Sequence, residues 1–106
     1  MTESILERVR IAAAKRLLFL PHTIRQMSRP DRMITSQDVE RAIMTGDIIE
    51  DYPEDSRGHS CLIMGAGQDL RAIHVVCAPK DEYLAIITTY RPDPTQWTPD
   101  FRERLA

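Results

Sequence analysis

The stretch Val39-Glu40-Arg41-Ala42-Ile43-Met44-Thr45-Gly46-Asp47-Ile48-Ile49-Glu50-Asp51-Tyr52-Pro53 changes its hydrophobic period half-way along. Val39, Ala42 and Ile43 recur at offsets of three and four, so they line one face of a helix. Thr35 is placed to cap that helix, with Asp38 at its third position and Gly46 as a left-handed stop. Beyond Gly46 the apolar runs become short and rich in isoleucine and valine. Ile48 to Tyr52, Ser60 to Met64, Ala72 to Ala78 and Leu84 to Tyr90 are separated by Pro, Gly and Asp, as in an antiparallel meander. Residues 72–78 and 84–87 are almost continuously apolar, which marks central strands covered by helices on at least one face.

Working back from residue 39, Ser4-Ile5-Leu6-Glu7 has the form of a capping box. Leu6, Val9, Ala13 and Leu17 then follow at helical spacing, which predicts a first helix from about 4 to 16. Leu17-Leu18-Phe19-Leu20 reads as a short strand interrupted by Pro21. His22 to Arg29 reads as a second short helix, with Ile24 and Met27 on its inner side and Pro30 ending it. At the other end of the chain Pro92 and Pro94 close the sheet. Thr98-Pro99-Asp100 resembles a helix start leading to Phe101, with Trp97 and Phe101 pinning the tail. The expected architecture is α+β: N-terminal helices packed on an antiparallel sheet of three to four strands, followed by a short C-terminal helical tail.

The 106 residues suffice for one core and leave no room for a second, so residues 1–106 read as a single domain. With 42% hydrophobic and 28% charged residues the composition is that of a globular protein. No apolar run approaches the roughly 20 residues needed to span a membrane. Ile5 and Leu6 are followed at once by Glu7 and Arg8, which is not the core of a secretion signal, and a cytoplasmic location with no membrane partner is expected. Cys61 and Cys77 each sit inside an apolar run, as buried reduced thiols would; a cross-strand disulfide is the lesser alternative. The three histidines are widely spaced and no Cys-x-x-Cys occurs, so neither a metal nor a cofactor is expected. The net charge of −2 conceals a segregation. Residues 1–45 carry eight Arg and Lys against five Asp and Glu, residues 46–56 carry five acids and no base, and residues 57–106 carry six of each. A basic helical face can attract nucleic acid, although most such faces are merely solvated.

His22 opens a helix directly after Pro21, where it is either a hydrogen-bonded structural histidine or an imidazole that can reach a phosphate or move a proton. Arg25 and Arg29, four apart, share a helix face as an anion-binding fork or as a solvated basic stripe, and Arg32 follows. His74 lies mid-strand on the face of Ala72 and Val76, opposite Ile73, Val75 and Cys77. That position suits a half-buried structural histidine or a catalytic one. Thr88-Thr89-Tyr90-Arg91-Pro92 places hydroxyls, a phenol and a guanidinium at a strand end, where a nucleotide could meet stacking and charge together, although stacking and sheet packing explain Tyr90 equally well. Glu50-Asp51-Tyr52-Pro53-Glu54-Asp55 is either a cation or proton acceptor or an acidic edge that discourages aggregation. Gly65-Ala66-Gly67 precedes a strand rather than a helix and reads as a hairpin turn.

An ordered series of short motifs carries a family resemblance. His22 with Met27, Ile34-Thr35-x-x-Asp38-Val39, Gly46 to Pro53, Ser60-Cys61-Leu62, Arg71-x-Ile73-His74-Val75-Val76 and Ile87 to Asp93 together resemble the prokaryotic domain of unknown function 4258, over about residues 17–104. That family is similar to the RelE and BrnT-type toxins, compact ribonucleases of toxin–antitoxin modules. The resemblance implies endonucleolytic cleavage of messenger RNA, with RNA or the ribosome as target and a YgiT-type zinc-finger antitoxin-like protein as partner; a homodimer also stays open. Carried over by motif, His22, His74 and Tyr90 are the acid–base candidates, and Arg25, Arg29 and Arg91 are the phosphate-binding candidates. Family members commonly place an arginine just before the methionine of the His helix, and this chain has Gln26 there. Either Arg25 replaces it, about 100° round the helix, or this face is not catalytic. The alternative class is a non-catalytic module that binds protein or nucleic acid.

Overall fold

The computed structural model describes residues 4–105. The elements run α1 (Ile5–Lys15), β1 (Leu17–Phe19), α2 (Pro21–Met27), α3 (Ser36–Thr45), β2 (Asp47–Tyr52), β3 (Ser60–Ala66), β4 (Ala72–Pro79) and β5 (Leu84–Tyr90). Ser4 caps α1 by accepting from the Glu7 amide, and Thr35 and Asp38 close a reciprocal capping box on α3. The change of period at Gly46 is the boundary between α3 and β2. Gly46 is nevertheless extended (φ −89, ψ −176), not left-handed. Glycine is required there because a Cβ would stand 2.5 Å from the Ala42 carbonyl oxygen and would clash with that of Met64.

The sheet has five strands in the order β1-β5-β4-β3-β2, and it is mixed rather than the purely antiparallel three to four strands expected. β2 to β5 form the anticipated meander. The difference is Leu17–Phe19, which pairs parallel to Leu84–Ile86. α1 sits on the sheet and returns the chain to its edge in register with β5, and the Leu84 amide donates to the Arg16 carbonyl at 2.8 Å. Three residues are too few to show a strand period, and a partner 67 positions away leaves no local trace. In place of Ile24, which is 53% exposed, α2 turns Thr23 and Met27 inward.

The two faces of the sheet bury different chemistry. Val9 and Ala12 of α1 and Val39, Ala42 and Ile43 of α3 pack on Cys61, Ile63, Ile73, Val75, Cys77, Leu84 and Ile86. Each aliphatic side chain buried there contributes about 1.5–3 kcal/mol relative to exposure. Cys61 and Cys77 are buried free thiols on cross-strand partner positions. The opposite face carries His74, beside Met64 and Tyr90, and residues 92–105 fold back to cover it.

That tail forms no helix at residues 98–101, contrary to expectation. The Phe101 amide donates to the Thr98 carbonyl at 2.7 Å, closing a turn with Pro99 at its second position. Proline's fixed φ serves a β-turn as well as a first helical turn, so the sequence signal is shared by both. Hydrogen bonds from the Thr98 amide to Glu103 O and from the Leu105 amide to Gln96 O make the segment a small hairpin. Phe101 takes a left-handed φ of 59, which costs a non-glycine residue about 1–2 kcal/mol. No helix among the described residues is long and apolar enough to cross a membrane.

Candidate functional site

β1 ends at Phe19, and from Pro21 α2 takes over along the edge of β5. The β4–β5 register passes from Val76↔Thr88 to Cys77↔Ile86, so Ile87 is an extra residue in a bulge. Its carbonyl oxygen accepts from the Thr23 hydroxyl at 2.7 Å and from His22 Nε2 at 3.0 Å. A carbonyl can only accept, so neutral His22 carries its proton on Nε2 and keeps Nδ1 as the basic nitrogen. His22 is exposed, as are Arg25 on the same short helix and Arg29 in the turn just beyond its end. Arg29 approaches only Asp31, at 3.8 Å.

Gln26, where the resemblance leads one to expect an arginine, is a hub. Its Oε1 accepts from the Thr88 hydroxyl at 3.1 Å and from Arg32 Nη1 at 3.3 Å. The Arg32 carbonyl in turn accepts from Arg91 Nε at 2.9 Å. Arg91 Nη2 reaches Asp69 at 3.3 Å, while Nη1 is buried without a hydrogen-bond partner. Arg91 is thereby joined to α2 through Arg32 and to the β3–β4 hairpin through Asp69. Arg32 and Gln26 were not among the residues assigned phosphate-binding or catalytic roles from the sequence, and only Arg32's position in the Arg25-Arg29-Arg32 series signalled the former. Nearby Asp38 is held by the amides of Thr35 and Gln68. Burial opposes its ionisation, but those hydrogen bonds and the field of Arg91 prevail and lower its pKa below the ordinary value.

His74 and Tyr90 come together on the other face of the sheet. His74 is 0% exposed rather than half-buried. Its Nε2 donates to the Phe101 carbonyl at 2.8 Å, which leaves Nδ1 to accept from the Tyr90 hydroxyl at 3.2 Å. The Trp97 ring stands edge-on 4.4 Å away. Burial lowers the His74 pKa, against the Phe101 hydrogen bond and the Glu50 charge, and raises that of Tyr90. A second polar group borders this patch. Arg104 grips Glu50 through two hydrogen bonds of 2.8 and 3.1 Å, lies over the Trp97 ring at 4.6 Å, and keeps the Glu50 pKa low. Tyr52 donates to Glu50, and burial with this bond pushes its pKa up to about 12. Sequence spacing could not disclose this group, because Arg104 arrives on the folded-back tail. The six residues singled out from the sequence therefore divide: His22 and Arg25 stand on α2, Arg29 lies just beyond its end and Arg91 is joined to α2 through Arg32 and Gln26, whereas His74 and Tyr90 engage the tail.

The family model of the domain of unknown function (DUF4258) matches residues 19–91. The chain belongs to this family. The DUF4258 segment holds all six of those residues, while α1 and the covering tail lie outside it. No curated protein and no solved structure matches the chain. Among the described residues, no group of three or more His, Cys, Asp or Glu side chains is arranged to hold a metal ion.

Proposed function

We propose that this DUF4258 domain is a toxin-like, metal-independent endoribonuclease that holds RNA along α2 and the end of β5. The observation that carries the reading is an exposed His22 with its Nε2–H pinned to Ile87 O, on the same helix as exposed Arg25 and just ahead of exposed Arg29 in the turn that follows. In the reaction the RNA 2′-oxygen attacks the adjacent phosphorus as His22 Nδ1 takes its proton. The P–O5′ bond breaks, and the departing 5′-oxygen takes a proton from water. The products are a 2′,3′-cyclic phosphate and a 5′-hydroxyl. Arg25, Arg29 and Arg91 offset the charge that builds on the phosphoryl oxygens. Where relatives commonly carry an arginine before the methionine, Gln26 anchors Arg32, so a guanidinium still reaches this position from the following turn. Likeness to RelE and BrnT-type toxins supports the same reaction class. The proposed partner is a YgiT-type zinc-finger antitoxin-like protein, of the kind often encoded beside members of this family.

The test is cleavage of end-labelled RNA by purified protein, with and without ribosomes and in the presence of a chelator, together with inducible expression with and without the adjacent gene. The wild type should cut and arrest growth, with relief from the neighbouring gene, and His22→Gln should do neither while remaining folded. Intact RNA in every condition, with harmless expression, would overturn the proposal. A second reading is favoured by one observation: His74 is sealed and both of its nitrogens are engaged. Under that reading the domain is a non-catalytic module, and substituting His22, His74 and Tyr90 changes folding or partner binding but no turnover.

A further inference from the structure

We propose that the cleft between the start of β4 and the end of β5 is a subsite for a single nucleotide, with the phosphate on Arg71 and Arg91 and the base against Phe101. This rests on the reading that the arginine-bearing face binds RNA. Arg71, Ala72, Arg91, Pro92 and Phe101 line a cleft of about 250 Å³. That lies below the roughly 300–1,000 Å³ of sites that enclose drug-sized ligands, so it fits one small group better than a folded strand.

The two guanidiniums share one ion-pair partner. Both guanidiniums approach the same carboxylate, Asp69, at 3.9 Å from Arg71 and 3.3 Å from Arg91. Arg91 also acts on the carboxylate of Asp38. Asp69 is fixed in turn, because its other oxygen accepts from the Arg71 amide at 3.0 Å. Arg91 is the prepared half of the pair: its side chain is only 14% exposed and is held at Nε and Nη2. Arg71, 64% exposed, is free to close on a ligand. A guanidinium held in advance loses little freedom on binding a phosphate, and Nη1 is the Arg91 nitrogen left without a partner.

The aromatic wall has its own support. Phe101 keeps an unfavourable left-handed backbone because its carbonyl is tied to His74 and its amide to Thr98. That conformation puts Phe101 at the tip of the tail's turn and on the cleft. Stacking on an aromatic ring beside a basic groove is how single-stranded nucleic acid is held without reading its sequence. Arg91 connects this cleft through Arg32 to Gln26 on α2, so a strand lying along α2 can lead one nucleotide into it.

The test compares adenosine 5′-monophosphate, ribose 5-phosphate and inorganic phosphate by titration at low salt, with backbone amide shifts followed in the wild type. Shifts should concentrate at Arg71, Arg91 and Phe101, and the nucleotide should bind about five-fold or more tighter than the sugar phosphate, as stacking of one base requires. Phe101→Leu should erase that preference and leave inorganic phosphate binding unchanged. Arg71→Gln, at an exposed position that does not threaten folding, should weaken all three ligands and flatten the salt dependence of oligonucleotide binding by about 0.7 in log–log slope. Equal binding of nucleotide and sugar phosphate by the wild type, or shifts elsewhere on the surface, would overturn the subsite. RNA cleavage measured on the same samples separates the two proposals: cutting without base preference sinks only the subsite, and base preference without cutting sinks only the nuclease.

Discussion

Replacing His74 by leucine should detach the tail from the sheet without affecting the exposed face of α2. The imidazole donates to Phe101 O at 2.8 Å, and leucine leaves that carbonyl without its partner, a loss of about 1–3 kcal/mol. The edge-on contacts with Trp97 at 4.4 Å and Tyr90 at 5.3 Å each add about 0.5–1.5 kcal/mol beyond area. Leucine recovers part of this by burying a more apolar side chain, and half-buried Tyr90 can turn its hydroxyl to water. The net loss should be about 3 kcal/mol, or about 12–24 °C in Tm for a domain of this size. Trp97 is the chain's single tryptophan and packs on the substituted ring, so urea unfolding followed by its fluorescence and by far-ultraviolet circular dichroism reads both tail and sheet. The expected result is a lower midpoint with an unchanged slope. A change under about 0.5 kcal/mol, accompanied by lost RNA cleavage in a folded variant, would refute the structural role and return His74 to the chemistry.

Stability should also fall as pH drops below about 6.5. The folded-state pKa of His74 lies below that of the unfolded chain, so the unfolded state takes up the proton first, and the His74→Leu variant should lack this step in pH-dependent urea titrations. A further loss is expected below about pH 4, where the lowered carboxyl of Asp38 gains its proton later in the folded than in the unfolded state; Asp38→Asn should remove it. Arg104→Ala should cost less than about 1 kcal/mol despite two hydrogen bonds to Glu50, because Arg104 is 61% exposed, and the difference from wild type should shrink in high salt. Gly65→Ala should cost more than about 2 kcal/mol in the same urea assay, since the new Cβ would stand 2.7 Å from the backbone of Ala42 in α3 and neither element has a side chain to move aside.

What the sequence disclosed follows from the range over which each signal acts. The break at Gly46, the capping box at Thr35 and the alternation that separates Ile73, Val75 and Cys77 from His74 are local, and each is realised. β1 was recognisable as a strand but not as a parallel one, because direction is set by where α1 returns the chain. The tail misled for a chemical reason: Thr98-Pro99-Asp100 suits a helix start and a β-turn equally, and the His74 hydrogen bond to Phe101 accompanies the second. His22, Arg25, Arg29 and Arg91 were visible as residue types in a favourable order. Their connection through Gln26 and Arg32 was not, because it depends on a side-chain amide receiving a guanidinium six residues on and a hydroxyl from β5.

The position of β5 has a consequence for synthesis. Of the five strands of this sheet it is the last made, yet it lies between β1, the first made, and β4. While the chain emerges from the ribosome, Leu17–Phe19 has no partner and the apolar faces of α1 and β4 await Leu84 and Ile86. Closing so long a loop is slow relative to forming the β3–β4 hairpin, so the N-terminal third waits on residues near 90. For a domain proposed to cut RNA, this order would delay any activity that needs α2 seated on β5 until residues near 90 have left the ribosome that made them.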